Sequence, residues 1–219
     1  MRILVFNPNA TESMTHGIAA AAKAAAPLDV EIVGRTNHGA PAAIQGPEDG
    51  AAATPGVIAA AAAAASQGFE AMVIACFDDV ALAEARAAAR IPVVGVGQAA
   101  YHAAMLWGGQ FSVVTTLPVS VPVIEQVISG YGFSAHCAHV RASGLPVLVL
   151  EDDPDRSTPV LIAQAKAAAA EDGAKALVLG CAGMAPYGPA MSAASGLPAV
   201  DGVAAAVGLA RTLAAATSR

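Results

Sequence analysis

Charged side chains are scarce in this chain. Only 13% of its 219 residues are Asp, Glu, Lys or Arg, and the formal net charge is −6. An acidic surface repels phosphate groups, so the composition argues against a nucleic-acid partner. No apolar run approaches the roughly 20 residues of a membrane-spanning helix, and the longest alanine tract, 58–65, is far shorter. We therefore expect a protein that neither binds nucleic acid nor spans a membrane.

Cysteine is also rare. Cys76, Cys137 and Cys181 are an odd number of thiols, which argues against a disulfide framework. The chain starts with MRILVFNPN, a strand-like segment without an apolar leader, so we expect a cytoplasmic protein with reduced thiols. Hydrophobic residues make up 56% of the chain. That fraction supplies a large core, and the shortage of surface charge favours a homo-oligomer.

Motifs that hold nucleotides or metals are missing. The chain has no GxxxxGK[ST] phosphate loop, and GVG (95–97) lacks the third glycine of a dinucleotide-binding turn. His136 and His139 flank Cys137 in a segment that we predict to be extended, without further ligands nearby. We therefore expect no metal and no cofactor, and we interpret Cys137 as structural.

Short apolar segments alternate with alanine-rich ones. Val- and Ile-rich runs that are apolar on both faces are typical of parallel strands, and alanine favours helices. The pattern predicts an α/β fold of mostly parallel sheets flanked by helices. The predicted strands are RILVFN (2–7), VEIVG (30–34), AMVIAC (71–76), PVVGV (92–96), FSVVTT (111–116), ALVLGC (176–181) and PAVDG (198–202), with an extended stretch near 136–150. Helices are predicted at about 12–25, 53–66, 80–89, 98–107, 118–129, 154–170 and 202–216.

Three segments recur in the second half of the chain. The alignments pair GFEAMVIAC (68–76) with GAKALVLGC (173–181), IPVVGVGQAA (91–100) with LPAVDGVAAA (197–206), and RILVFNPN (2–9) with QFSVVTTL (110–117), at offsets of 105, 106 and 108. Three matches in one order indicate duplication of one α/β unit. We predict two pseudo-symmetric lobes, about 1–98 with 203–219 and about 99–202, with the active site in the cleft between them.

The duplication places two thiols at matching strand ends. Ligands bind beyond the carboxyl ends of parallel strands, so Cys76 and Cys181 would face each other across the cleft. A thiolate and a thiol on opposite faces of a carbon can remove one proton and return another, which inverts the stereocentre without a cofactor. Helices predicted to start near 80 and 183 would lower the thiol pKa values. Backbone N–H groups around Phe77–Asp78 and Ala182–Gly183 would stabilise an enolate oxygen.

These residues resemble the aspartate/glutamate/hydantoin racemase superfamily, and within it the hydantoin and allantoin racemases. The resemblance runs the whole length of the chain and rests on NPN (7–9), ACFDD (75–79), VVGVGQAAYHAA (93–104), FSVVTTL (111–117) and LGCAGM (179–184). It implies a cofactor-independent racemase that uses Cys76 and Cys181 as acid and base, and that inverts C5 of a cyclic ureide. It also implies that the loop GAPAAIQG (39–46) covers the pocket, with Ile44 against the substrate's side chain.

The chain departs from the superfamily's pattern at three places. Ala10 follows NPN where threonine is common, Val80 follows the two acids where proline is common, and Gln98 stands where glutamate is common. None of these changes removes a thiol. They leave the preferred ring substituent open.

Polar residues at two strand ends have two interpretations each. Asn7 and Asn9 would either cap the first helix or hold a substrate carbonyl or ring nitrogen through an amide. Thr115 and Thr116 occupy the equivalent strand end in the second lobe. They would either bind substrate or cap the helix after Leu117.

Two acids end the first cysteine motif, ACFDD (75–79). Asp78 and Asp79 would match the dipole of a following helix, and Asp78 also belongs to the candidate substrate-binding set. A carboxylate near a thiol raises its pKa, so we do not expect both acids to face Cys76.

Several other functions remain open at this point. An allantoin racemase is the nearest alternative, followed by an enzyme that isomerises maleate through a cysteine adduct or decarboxylates arylmalonates with one cysteine. A two-lobed small-molecule binding protein would share the fold without catalysis. A reversible disulfide between Cys76 and Cys181 would instead indicate a redox pair.

Overall fold

Two four-stranded parallel sheets form the framework of the chain. The computed structural model describes residues 1–217, and the α/β fold with two parallel sheets is confirmed. The first sheet has the order β2-β1-β3-β4 and consists of β1 (Arg2–Asn7), β2 (Glu31–Thr36), β3 (Ala71–Ile74) and β4 (Val93–Gly95). The second has the order β6-β5-β7-β8 and consists of β5 (Phe111–Thr115), β6 (Cys137–Ala142), β7 (Ala176–Leu179) and β8 (Ala199–Val200).

Helices cover both faces of each sheet. They are α1 (Glu12–Ala25), α2 (Pro47–Ala64), α3 (Leu82–Ala88), α4 (Val96–Met105), α5 (Ser120–Gly130), α6 (Val149–Asp152), α7 (Pro154–Glu171), α8 (Gly188–Ser195) and α9 (Gly202–Thr217), with 3₁₀ helices at Ala65–Gln67 and Ala182–Tyr187. Side chains of a strand alternate between faces. Ile3 and Val5 of β1 therefore pack with α1 and α9, whereas Leu4 and Phe6 pack with α2. Within the described residues, no helix is both long and apolar enough to cross a membrane.

The helix boundaries differ most from the predictions where proline and short elements are involved. The helix predicted from residue 53 begins at Pro47, which fits the first turn of a helix, and Glu48 and Asp49 stabilise that turn through the helix dipole. It then continues through Pro55. The helix predicted from residue 80 begins at Leu82. The sequence patterns did not predict the short helices α6 and α8.

The two sheets have the same strand order, as the predicted duplication requires. The structure adds a fourth matched pair, because β2 begins at Glu31 and β6 at Cys137, 106 positions later. Helix α9 packs on the first sheet through Val203 and Val207. The lobe boundaries themselves stay a prediction, and residues 218–219 of the predicted first lobe lie outside the described residues.

Helices α4 and α9 meet closely at their first residues. A Cβ atom on Gly202, the first residue of α9, would lie 2.5 Å from the carbonyl oxygen of Val96 and 3.4 Å from the Cβ of Ala100. A backbone oxygen cannot move away cheaply. The absence of a side chain at residue 202 therefore lets the two helices start side by side.

We predict that Gly202→Ala lowers the free energy of unfolding by about 1–3 kcal/mol, because the added methyl overpacks this contact. Gly208→Ala in the same helix is the matched control. A Cβ there meets nothing within 4 Å, so it should stabilise the protein by about 0.5–1 kcal/mol through helix propensity. Urea unfolding of the three proteins measures both effects. Equal stability of Gly202→Ala and wild type would contradict the close contact.

Candidate active site

The two cysteines of the repeat line one cleft. Cys76 lies two residues beyond the end of β3, and Cys181 lies two residues beyond the end of β7. The carboxyl ends of both strands open into the same cleft. Its lining consists of Asn9, Met14, Ile44, Ala75, Cys76, Phe77, Asp78, Thr115, Thr116, Ser120, Val147, Gly180, Cys181 and Ala182. All the candidate site residues except Asn7 and Gly183 are in this set.

Burial raises the pKa of both thiols. For Cys76 the second cause of the raised pKa is the carboxylate of Asp78, and the N–H of Asp78 opposes both by stabilising the thiolate. The pKa of Cys181 rises to about 11, again chiefly through burial, while the N–H of Gly183 lowers it. This corrects the expectation that helix starts lower the thiol pKa values. Helix α3 begins only at Leu82, and a 3₁₀ helix with weaker dipole alignment follows Cys181.

Asp78 faces the cleft as an unpaired carboxyl group. It lines the space between the thiols, and none of the hydrogen bonds and ion pairs of the described residues involves its side chain. Burial raises its pKa to about 6, so the group is ionised at pH 8. Its negative charge then raises the pKa of both Cys76 and Cys181. The carboxylate is therefore available to accept a hydrogen bond from a ligand in the cleft.

Asp79 points away from the cleft and joins two parts of the chain. Its φ of 49° is in the left-handed region, and the carboxylate is buried against the first turn of α4. It accepts hydrogen bonds from the N–H groups of Gly97 (2.9 Å) and Gln98 (2.7 Å) and from the hydroxyl of Tyr131 (2.9 Å). Burial raises the pKa of Asp79 to about 7, although these three donors lower it. Asp79 therefore caps a helix, but the helix is α4 and not the next one in sequence.

The GVG segment (95–97) makes room for this carboxylate. A Cβ on Gly95 would lie 2.1 Å from Asp79 Oδ1, and one on Gly97 would lie 2.3 Å from the carbonyl oxygen of Phe77. The second half of the chain has Asp201 at the position equivalent to Gly95. Asp201 caps its own helix by accepting from the N–H of Val203 at 2.9 Å. The two halves thus cap equivalent helices with carboxylates from different places in the sequence.

The two asparagines of NPN have different surroundings. Asn7 lies beneath the cleft, and its amide donates to Asn9 Oδ1, the carbonyl oxygen of Thr11 and Thr15 Oγ1. Asn9 lines the cleft, accepts from the N–H of Thr11 at 3.0 Å, and has only the sulfur of Met14 as partner for its NH₂ group. Asn7 therefore holds the strand end in place, whereas the NH₂ group of Asn9 is exposed to a ligand.

The equivalent strand end of the second half offers hydroxyl groups. Thr115 donates to the carbonyl oxygen of Gly180 at 3.1 Å. Thr116 and Ser120 also line the cleft, and no side-chain hydroxyl bond to another described residue is formed by either. Sequence reasoning missed Ser120, Met14 and Val147. The available signal was the position of Ser120 at the start of α5, the helix that follows the strand end of Thr115 and Thr116.

The loop 39–46 closes one side of the cleft. Ile44 is buried and lines it. The next residue, Gln45, accepts a hydrogen bond from the N–H of Val147 at 3.1 Å. This bond ties the loop of the first half to the second half and holds Ile44 and Val147 over the thiols.

Cys137 and its neighbouring histidines lie elsewhere. Cys137 lines a separate surface cavity with Glu125 and His139, and His136 contacts the carbonyl oxygen of Gly109 through Nδ1 at 2.7 Å. Across residues 1–217, no three His, Cys, Asp or Glu side chains are grouped as metal ligands.

Comparison with known proteins identifies relatives over nearly the whole chain. The family model for Asp/Glu/hydantoin racemases matches residues 3–210. A hydantoin racemase of Rhizobium meliloti is 45% identical over 213 residues, which cover 97% of this chain and 88% of that protein. A hydantoin racemase of a Pseudomonas species is 38% identical over 97% of this chain and 86% of its own length. The structure of the allantoin racemase from Klebsiella pneumoniae superposes with a TM-score of 0.95 at 38% identity, covering 99% of this chain and 88% of that one.

We predict that the Asp79–Tyr131 hydrogen bond couples the two halves energetically. A double-mutant cycle of Asp79→Ala, Tyr131→Phe and the combined variant should give a coupling energy of about 1–3 kcal/mol, because the bond joins a hydroxyl to a buried carboxylate. Urea unfolding at one pH measures all four proteins. Additive effects of the two changes would contradict the bond.

We also predict that Asp78→Asn makes the two cleft thiols more reactive. Removing the negative charge lowers both thiol pKa values, so alkylation of Cys76 and Cys181 by iodoacetamide at pH 8 should be about three- to tenfold faster. Peptide mass spectrometry reports each site separately. Cys137 is the internal control, because its raised pKa is due to burial and Glu125 and not to Asp78. Unchanged alkylation of Cys76 and Cys181 would contradict the electrostatic effect of Asp78.

Proposed function

Because the chain belongs to the Asp/Glu/hydantoin racemase family, we propose that it is a racemase that inverts C5 of 5-substituted hydantoins without a cofactor. The observation that carries this proposal is the position of Cys76 and Cys181, which occupy equivalent strand ends and line one cleft. Relatives at 45% and 38% identity bear the name hydantoin racemase. That name supports a cyclic ureide as the substrate.

The proposed reaction moves one proton off C5 and another onto its opposite face. The thiolate of one cysteine takes the C5 proton and becomes a thiol, and the electron pair of the broken C–H bond moves into the ring as an enolate. The second cysteine donates its thiol proton to the other face of C5 and becomes the thiolate. The configuration at C5 is inverted and the total number of protons is unchanged. Proton exchange with solvent then restores the original protonation states of the two cysteines.

Burial of the thiols suits this chemistry. A carbon next to a carbonyl is a weak acid, so a base with a raised pKa removes its proton more readily than an ordinary thiolate does. The cost is a small thiolate fraction at neutral pH. The N–H groups of Asp78 and Gly183 oppose that cost, because they lower the pKa values of Cys76 and Cys181.

The remaining polar groups of the cleft would hold the ring. Asp78 would accept a hydrogen bond from a ring N–H, and the hydroxyls of Thr116 and Ser120 and the amide of Asn9 would donate to ring carbonyls. A developing enolate oxygen gains more from such donors than the neutral carbonyl does. In this arrangement the donors of the cleft meet the ring carbonyls, and the carboxylate acceptor meets a ring N–H.

Allantoin racemisation is the second candidate, because the structure of an allantoin racemase superposes with a TM-score of 0.95. Allantoin is itself a hydantoin, with a ureido group on C5, so the same proton transfers would apply. The two thiols disfavour decarboxylation with a single cysteine. They also disfavour a two-lobed protein that only binds its ligand, since binding requires no acid–base pair.

We further propose a cytoplasmic homo-oligomer that does not bind nucleic acid. Leu106 and Trp107 at the end of α4 are 90% and 63% exposed, which favours contact with a second copy of the chain. The net charge of −6 disfavours a phosphate-rich partner.

We predict that Cys76→Ser and Cys181→Ser each lower the racemisation rate at least about 10³-fold, because a hydroxyl is a far weaker acid–base group than a thiol. Optical rotation of one hydantoin enantiomer follows the reaction, and NMR follows exchange of the C5 proton in D2O. Each single variant should still exchange the proton of the enantiomer that its remaining thiol faces. Cys137→Ser is the control and should retain wild-type activity. A wild-type rate in Cys76→Ser or Cys181→Ser, or no racemisation by the wild type, would contradict the proposal.

A further inference from the structure

A second cavity adjoins the cleft that holds the thiols. It lies between α1, the 3₁₀ helix Ala182–Tyr187 and the segment that leads into α7. The two cavities share Met14, Val147 and Ala182 as lining residues. These three side chains are therefore the boundary between the thiols and the second cavity.

Gly183 marks the place where the two spaces meet. A Cβ atom on Gly183 would lie 3.8 Å from Cys181 Sγ, 3.7 Å from Leu150 Cδ1 and 4.0 Å from Met14 Cε. A ligand group at this point would thus touch the catalytic sulfur and the wall of the second cavity together. Met14 has an unbranched, adaptable side chain, so it can move aside without disturbing the backbone of α1.

The second cavity offers a ligand almost only apolar surface. The hydroxyl of Tyr187 donates to the carbonyl oxygen of Leu150, and the hydroxyl of Thr158 donates to that of Pro154 at 2.7 Å. Glu151 is exposed at the rim, where it accepts a hydrogen bond from Ser13 at 3.0 Å. The polar side-chain atoms of Tyr187 and Thr158 are therefore paired within the protein, and that of Glu151 lies at the rim.

We propose that this second cavity binds the C5 substituent of the substrate and selects bulky apolar groups, such as arylmethyl and branched alkyl groups. The inference rests on the proposed function, since it places the hydantoin ring between the thiols. Moving an apolar substituent from water into this cavity is favourable in free energy, because apolar surface is removed from water. A ureido group would instead lose its hydrogen bonds to water without finding partners there. The cavity therefore favours 5-arylmethyl and 5-alkyl hydantoins over allantoin.

Gly17 and Ala190 are then residues that determine specificity. They line the cavity from α1 and α8 and are not part of the cleft that holds the thiols. A Cβ on Gly17 meets nothing within 4 Å, so a larger side chain there fills the cavity without displacing protein atoms. Gly17→Phe should therefore fold normally and compete with the substituent for space.

The test compares kcat/KM for racemisation of 5-benzylhydantoin and 5-methylhydantoin. We expect the wild type to prefer the benzyl compound at least about tenfold, and Gly17→Phe to lower that preference at least about tenfold. Ala190→Phe fills the cavity from the other wall and should act in the same direction. Gly208→Phe is the matched control on the exposed face of α9, where a Cβ also meets open space, and it should leave the preference unchanged.

The outcomes separate the two proposals. If the wild type racemises neither hydantoin, the proposed function fails. If the wild type racemises both and neither filling variant changes their ratio, the proposed function stands and the second cavity is not the substituent site. An equal loss on both substrates, or a wild-type preference for allantoin over 5-benzylhydantoin, would likewise overturn the inference.

Discussion

Burial of two sulfur atoms at matching strand ends is the constraint on which this site depends. The sheets have the same strand order, and each places a cysteine two residues beyond its third strand in sequence. The surrounding protein raises the pKa of Cys76 and Cys181, while one backbone N–H at each sulfur acts in the opposite direction. Both thiols are therefore weak acids, and their thiolates are correspondingly strong bases. A strong base is what removal of a proton from a weak carbon acid requires.

Duplication does not make the two halves identical, and the difference lies in how the thiol loops are held. Asp79 reaches from the loop of Cys76 to the first turn of α4 and to Tyr131, through the space that Gly95 leaves open. The equivalent cap in the second half is the local residue Asp201. The loop of Cys76 is therefore anchored to the second half of the molecule, and Asp78 is left as the acid that faces the cleft.

Much of this arrangement could be predicted from the sequence because the signals are local and repeated. The apolar runs indicate the strands, and the recurring GFEAMVIAC and GAKALVLGC segments indicate that Cys76 and Cys181 are equivalent. The partner of Asp79 could not be predicted, since its bonds cross 18 residues to Gly97 and 52 to Tyr131. The thiol pKa values were predicted in the wrong direction, because burial outweighs the helix dipole and sequence alone gives no measure of it. The extended start of α2 was missed because Pro55 normally ends a helix.

The most direct test of the account is where deuterium enters when one enantiomer of 5-benzylhydantoin is racemised in D2O. Two thiols on opposite faces predict that the enantiomer formed carries deuterium at C5 from the first turnover, while the unreacted enantiomer still carries protium. NMR of the two enantiomers, separated at low conversion, reads this directly. Retention of the original proton in the product, or equal labelling of both enantiomers from the start, would show that one base serves both faces and would contradict the paired roles of Cys76 and Cys181.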